Sequence, residues 1–417
     1  MRSKQDQNKA KKGTKTSNLK TRFYSFLKPL AVITTALTIG LLIAEITFRI
    51  LGLSWPTIYV YLRDENVGTV LKPNAEFEWS QEGNAFIKIN SRGLRDKEHQ
   101  IPKPENTWRF AVLGDSMAEA LQVDMNDTFW TEIEITLNKC TALKGKKVEA
   151  VNFGVSGHGT AQELITLRNR VWAYEPDLVL LAITNGNDIR NNSPDLEPNT
   201  TRPFFTKEND GLILDNSFRE ILMTQVDLHE RPAWQRATIY SLNKTRVGQL
   251  ILKAGRQIRE NLNQSDLIAT NEWEPGMDYQ VFAPPMNEKW TDAWWVTEQL
   301  ILKMYEEVTE RGVLFDSFMI PSGIQVDFDD KKRLDFATSL GVEELSYPER
   351  RIDYFAKTNE IPFLPLLEPF LEYSKDTKEY LFGFKNASLG EGHLNEKGHN
   401  LAGSIISKRI CEKLKPH

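Results

Sequence analysis

Hydrophobic and polar positions divide this chain into three regimes. From Pro29 to Ala44 no residue is charged, and the apolar run continues past Glu45 to Phe48. About 20 such residues are what a helix needs to cross a bilayer. From 54 to 106 the apolar residues come in short runs (Thr57 to Leu62, Phe77 to Trp79, Ala85 to Asn90) separated by turn residues. These predict a small β-rich element. From 107 onward short β-type runs alternate with stretches of helical spacing, the pattern of a parallel sheet covered by helices on both faces.

The strands of that third region are predicted at Arg109 to Leu113, Val148 to Val151, Leu178 to Ile183, Val313 to Ile320 and Ile361 to Leu366. Helical spacing predicts helices at Leu164 to Tyr174, Trp290 to Arg311, Tyr347 to Lys357 and Asn395 to Leu414. The expected fold is a flavodoxin-like three-layer α/β/α sandwich around a central parallel sheet. The stretch 191–287 breaks the alternation. It is polar, contains Pro203, Pro232 and Pro275, and offers one good helix, about Ala237 to Leu262. It reads as an insertion that caps the site. The expected organisation is thus a tail (1–28), an anchor helix (29–50), the β-rich element (54–106) and a main domain (107–414) with its cap.

Charge sharpens this division. The chain of 417 residues carries a formal net charge of −5, but residues 1–28 hold nine Lys/Arg against one acid, Asp6. The remainder is therefore acidic, which argues against nucleic acid as a partner. A basic cluster before an apolar helix predicts that the N-terminus stays in the cytoplasm and the rest is exported. No small-x-small cleavage pattern follows the apolar run, so a single-pass membrane anchor is expected rather than a cleaved signal. There are two cysteines, Cys140 and Cys411. They fall near the C-terminal ends of two predicted helices, and either pair or stay as buried thiols.

Four segments at the ends of predicted elements carry chemistry. Gly114-Asp115-Ser116-Met117 follows the first strand of the sheet, and Asn152 to Gly157 follows the second. Asn185-Gly186-Asn187-Asp188 follows the third, and Glu391 to His399 precedes the last helix. Strand C-termini form the ligand-binding edge of a doubly wound sheet. A serine there, at a helix start, faces the crevice with its N–H available to a developing oxyanion. The Asn187 amide can donate to the same oxyanion, and the small residues 154, 156 and 157 let backbone approach a ligand. His393 is the candidate base. Each motif alone marks only a turn or a cap. His393 and His399 are six apart with no cysteine nearby, so no metal is expected. Asp115 and Asp188 read as structural, His158 lies near the crevice without a role, and Trp290, Trp294 and Trp295 read as packing. Trp273 and Tyr279 could stack on a sugar or line an acyl pocket.

In this order and at these intervals the four segments resemble the SGNH (GDSL-like) hydrolase superfamily. The resemblance covers about 107–190 and 290–414. It implies Ser116 as nucleophile, His393 as base, and the Ser116 N–H, Gly157 and Asn187 as the oxyanion hole, with no cofactor. Met117 replaces the family's usual leucine, a change that conserves volume. The family commonly places aspartate three residues before its histidine, where this chain has Gly390. Either Glu391 orients His393, or a backbone carbonyl near Gly390 does so. The expected activity is cleavage of acyl esters, first of all O-acetyl groups, on extracytoplasmic glycan or cell-envelope substrates. Acyl transfer or lipid ester cleavage would use the same residues. A catalytically silent glycan-binding module is the reading that the missing aspartate suggests.

Overall fold

A computed structural model of the chain describes residues 28–29, 31–51, 60–209, 211–224, 231–263 and 278–415. The predicted basic tail therefore lies outside the described residues except at Lys28, as do Thr57 to Tyr59 of the first predicted strand. The chain forms two units, 58–231 with 266–417, and 1–57 with 232–265.

The larger unit opens with two antiparallel hairpins. β1 (Tyr61–Asp64) pairs with β2 (Gly68–Leu71), and β3 (Glu76–Trp79) with β4 (Ala85–Lys88). The main strands follow as β5 (Thr107–Leu113), β6 (Lys147–Asn152) and β7 (Leu178–Thr184). A third hairpin, β8 (Phe204–Glu208) with β9 (Gly211–Asp215), precedes β10 (Leu314–Ile320) and β11 (Phe363–Pro365). The central sheet has the order β11-β10-β7-β5-β6, and every pairing in it is parallel. Counted within the sheet this is the 2-1-3-4-5 order of flavodoxin-like folds, whose switch point falls between the first and third strands. Here that point lies between β5 and β7.

Why these runs form the sheet is visible in their burial. Every residue of β5 and β7 is buried, and apart from Thr107, Arg109 and Thr184 both strands are apolar, as parallel strands covered on two faces must be. Alternate residues serve alternate cores. Ala111, Leu113, Val179, Leu181 and Ile183 pack with Leu164, Trp294 and Leu300 on one face. Phe110, Val112, Leu180 and Ala182 pack with Phe129, Ile133 and Ile406 on the other. The helices Thr160–Asn169 and Glu288–Thr309 cover the first face. The helices Phe129–Leu137 and Glu396–Lys413 cover the second. A disulfide joins Cys140, just beyond the first of this second pair, to Cys411 near the end of the other.

The predicted elements recur with shifted ends. The helix expected over Leu164 to Tyr174 is Thr160–Asn169 followed by a 3₁₀ turn at Val171–Tyr174. The helices Asp330–Ser339 and Leu367–Thr377 lie outside the predicted elements.

The stretch 191–287 is not one body. Its β8–β9 hairpin belongs to the larger unit and buries Phe204 and Phe205 there. Its helix Phe218–Thr224 stays with the larger unit, while the helices within 232–265 belong to the other unit, with the N-terminal helix. In that smaller unit an apolar helix, Ala31–Ile50, is long enough to cross a membrane. The expected helix over Ala237 to Leu262 is two helices, Ala233–Asn243 and Arg246–Asn263. Thr245 divides them: its Oγ1 accepts from Gly248 N at 3.1 Å and caps the second helix.

Candidate active site

Ser116 starts the short helix Ser116–Glu119 directly beyond β5. Asp115 is its cap and a junction between two strand ends. Its Oδ1 accepts from Met117 N and from Thr184 Oγ1, both at 2.9 Å, and its Oδ2 accepts from Asn187 Nδ2 at 2.9 Å. Asp115 thus fixes the nucleophile turn and the Asn187 amide together. Asp188 is buried, accepts from Thr184 N at 2.7 Å, and shapes the same loop. Burial, then the nearby Glu163 and Asp115 carboxylates, push the Asp188 carboxyl well up.

The Gly157 loop is pressed against this turn. A Cβ on Gly154 would lie 2.6 Å from Glu119 N, so only glycine allows the β6 loop to come this close. Glu119, fully buried, holds the loop from the other side. Its carboxylate accepts from Ser156 N, next to Gly157, and from Tyr61 Oη at 3.0 and 3.1 Å. Burial pushes the Glu119 carboxyl up, against the pull of these donors. The Gly157 carbonyl accepts from Arg202 Nη2, which ties the start of the inserted stretch to the loop.

His393 reaches Ser116 from the segment before the last helix. Asn395 caps that helix by accepting from Lys397 N and Gly398 N. His393 Nε2 lies 2.9 Å from Ser116 Oγ. The other ring nitrogen, Nδ1, lies 2.6 Å from Oε2 of Glu82, and Oε1 of the same carboxylate accepts from His393 N at 2.7 Å. A carboxylate at Nδ1 makes that nitrogen the N–H donor and leaves Nε2 to accept from the serine hydroxyl.

Glu82 sits in the turn between β3 and β4, in the element where the sequence had offered no chemistry. It replaces Glu391 as the acid on His393. Glu391 lines a separate cavity instead, two residues up the chain. The turn is fixed at both ends: Trp79 Nε1 donates to Glu82 O at 2.7 Å, and the Asn386 amide accepts from Gly83 N at 3.0 Å and donates to Gly83 O at 2.8 Å. Burial pushes the Glu82 carboxyl up, but hydrogen bonds from the His393 ring and backbone and from Gln122 outweigh it and hold it below its ordinary value. Gly392 makes the approach possible. Its φ is +80°, and a Cβ there would lie 2.2 Å from Glu82 Oε1.

Among the described residues, His158 and His399 serve the fold. His158 is buried with Nε2 2.9 Å from Thr69 O on β2. His399 accepts from Phe129 N and stacks on the Phe129 ring. Trp290 and Trp294 are buried in the core, while Trp273 lies outside the described residues.

A cavity of about 430 Å³ is lined by Tyr279, Ile324, Phe336, Gly390 and Glu391 among others. Tyr279 and Phe336 meet edge to face at 5.0 Å. Asp278 N donates to Gly186 O at 3.1 Å, which anchors this wall to the Asn187 loop.

No family model matches the chain, and no curated protein matches it. Among solved structures it is similar to the acetyl xylan esterase AlAXEase, at 11% identity over 72% of this chain and 99% of that one, with a TM-score of 0.37. A lipase/acylhydrolase from Enterococcus faecalis is similar at 12% identity over 74% and 98%, with a TM-score of 0.33. A catalytic mutant of the acetylxylan esterase Axe2 from Geobacillus stearothermophilus is similar at 12% over 74% and 95%, with a TM-score of 0.34. The solved structures to which this chain is similar thus include ester hydrolases and an acylhydrolase.

Proposed function

We propose that the chain is a serine ester hydrolase of the SGNH type. The observation that carries this reading is the unbroken relay from Ser116 Oγ through the His393 ring to Glu82, with steps of 2.9 and 2.6 Å. His393 Nε2 takes the hydroxyl proton as Ser116 Oγ attacks the acyl carbonyl, and Glu82 stabilises the imidazolium. The N–H groups of Ser116 and Gly157 and the Asn187 amide hold the oxyanion. The imidazolium then protonates the leaving alcohol, and water resolves the acyl-enzyme by the same relay in reverse. The carboxylate on His393 supports the enzyme over a silent binding module.

The substrate we assign is an O-acyl, first an O-acetyl, ester of a hydroxyl-rich glycan of the cell envelope. The cavity beside Gly390 supports it. It offers the rings of Tyr279 and Phe336 to a sugar, and its charged lining has two lysines, Lys331 and Lys332, against Asp329, Asp335 and Glu391. Lys331 is paired with Asp335 and Lys332 with Asp327, so nothing there favours an anionic lipid headgroup. We place the enzyme in a membrane through the helix Ala31–Ile50, with its basic tail cytoplasmic and its catalytic unit exported.

The test is a fluorophosphonate probe together with p-nitrophenyl acetate on the full chain. Labelling of the wild type, and loss of both labelling and turnover in Ser116→Ala, is the expected result. Equal turnover by Ser116→Ala ends the proposal.

A further inference from the structure

We propose that the helix pair Ala233–Asn243 and Arg246–Asn263 lies on the bilayer surface as a second, monotopic membrane contact beside the spanning helix. This rests on the membrane reading of the helix Ala31–Ile50 given above. The expectation that the inserted stretch only caps the active site leaves three features of this pair without a purpose.

The first is the pattern of the second helix. Six of its seven apolar residues, at 247, 250, 251, 254, 258 and 262, fall on the i, i+3, i+4, i+7 stripe of one face, and Leu252 lies outside it. Of the described side chains in that stripe, Leu250 is 38% exposed, Ile251 54% and Ile258 60%, while Val247 is half-buried. Trp234 on the preceding helix is 68% exposed. In water this apolar surface has no physical reason to stay open.

The second is charge. Arg246, Lys253, Arg256 and Arg259 accompany the stripe, against one acid, Glu260. A basic polar face, an apolar face and a neighbouring tryptophan are the composition of helices that lie in a lipid–water interface.

The third is location, and it selects lipid over any other occupant. The N-terminus of the second helix is fastened to the last two turns of the spanning helix. Val247 N donates to Glu45 Oε2 at 3.0 Å, and Arg49, paired with Glu45 at 2.7 Å, donates through Nη2 to Lys244 O at 3.4 Å. Glu45 and Arg49 are the charged residues at the end of an otherwise apolar helix, so they mark the depth at which hydrocarbon gives way to headgroups. The pair therefore starts at the interface, continuous with a surface already in lipid. At about 1.5 Å per residue, its second helix can cover about 27 Å of that interface.

Nitroxide labelling of the full chain in phosphatidylethanolamine/phosphatidylglycerol vesicles tests this. Because Cys140 and Cys411 are bonded to each other, Ile251→Cys, Lys253→Cys and Ile39→Cys each provide one free thiol. A label at 251 is expected to be several-fold more accessible to oxygen than to a nickel chelate, with the ratio reversed at 253 and strongest for oxygen at 39. Equal chelate access at 251 and 253, with 39 in lipid, overturns the proposal and leaves the spanning helix standing. Dipolar broadening between labels at 251 on two copies also overturns it, by assigning the face to a dimer. Chelate access at 39 removes the membrane reading itself, and this proposal with it.

Discussion

Glu82 grips His393 at two points, its Oε2 on the ring nitrogen Nδ1 at 2.6 Å and its Oε1 on the backbone N at 2.7 Å. One carboxylate thereby fixes both the tilt of the imidazole and the height of the segment that carries it. Glu82→Gln keeps the shape but can leave the wrong tautomer at Nε2, and kcat is expected to fall by roughly 10²- to 10⁴-fold. Glu391→Gln is expected to leave kcat unchanged. Steady-state kinetics with p-nitrophenyl acetate decide, and the opposite ranking would return the acid to position 391.

Asn187 and Asp115 are joined by a hydrogen bond. Asn187→Ala removes the proposed oxyanion donor, so turnover is expected to fall by about 10²- to 10³-fold with KM little changed. Asp115→Ala frees the same amide and the Ser116 turn, and is expected to cost activity and stability together. A variant at 115 with full activity would show that the Asn187 amide needs no anchor.

The Ser156–Gly157 loop depends on a buried acid. Glu119→Ala strands the Tyr61 hydroxyl and the Ser156 N–H, at a cost of about 1–3 kcal/mol each for buried groups left unpaired. Urea unfolding is expected to show this loss, with a fall in kcat because Gly157 is no longer held. Tyr61→Phe, which leaves the Ser156 bond intact, is expected to be milder on both counts.

Buried groups of opposite sign set the acid stability of the fold. Burial holds His158 at about 4 and His399 at about 3, both below the ordinary 6.5. Between those values the unfolded chain binds protons that the folded one refuses, so their stabilisation is lost as pH falls below 6.5. Glu349 works the other way. Burial raises it from 4.5 to about 7, against hydrogen bonds from Gln325 and Asn185. Its stabilisation is complete below 4.5 and is lost as pH rises through 7. Asp188 and Glu119, which burial also raises, act in the same sense as Glu349. The effect of Glu349→Gln is therefore a difference from wild type: the variant is expected to lose stability relative to wild type as pH falls from 7.5 to 5. Thermal melts of both proteins across that range would refute this if the two curves stayed parallel.

The sheet was legible because β5 and β7 are buried on both faces, and only continuous apolar runs can be. Ser116, Asn187 and His393 were legible because each ends or begins an element at the same edge. Glu82 was not. It lies in a polar hairpin turn 311 residues from His393, and no local pattern distinguishes it from any exposed turn acid. The trace it left was negative: Gly390 where an acid was expected, and Gly392 beside the histidine, where the carboxylate needs the space of a side chain. The division of the inserted helix was hidden for a similar reason. Asn243-Lys244-Thr245 contains neither glycine nor proline, and the break is made by a capping hydroxyl and by Glu45, about 200 residues earlier.

The bond between Cys140 and Cys411 has a further consequence for a chain that has been nicked. Ser116 precedes the first cysteine and His393 precedes the second. Any single cut between Cys140 and His393 severs the polypeptide that connects nucleophile and base, yet the two fragments remain one covalent molecule. Nicked enzyme would then migrate as a single band until a reductant is added, with its two catalytic halves still tethered to each other.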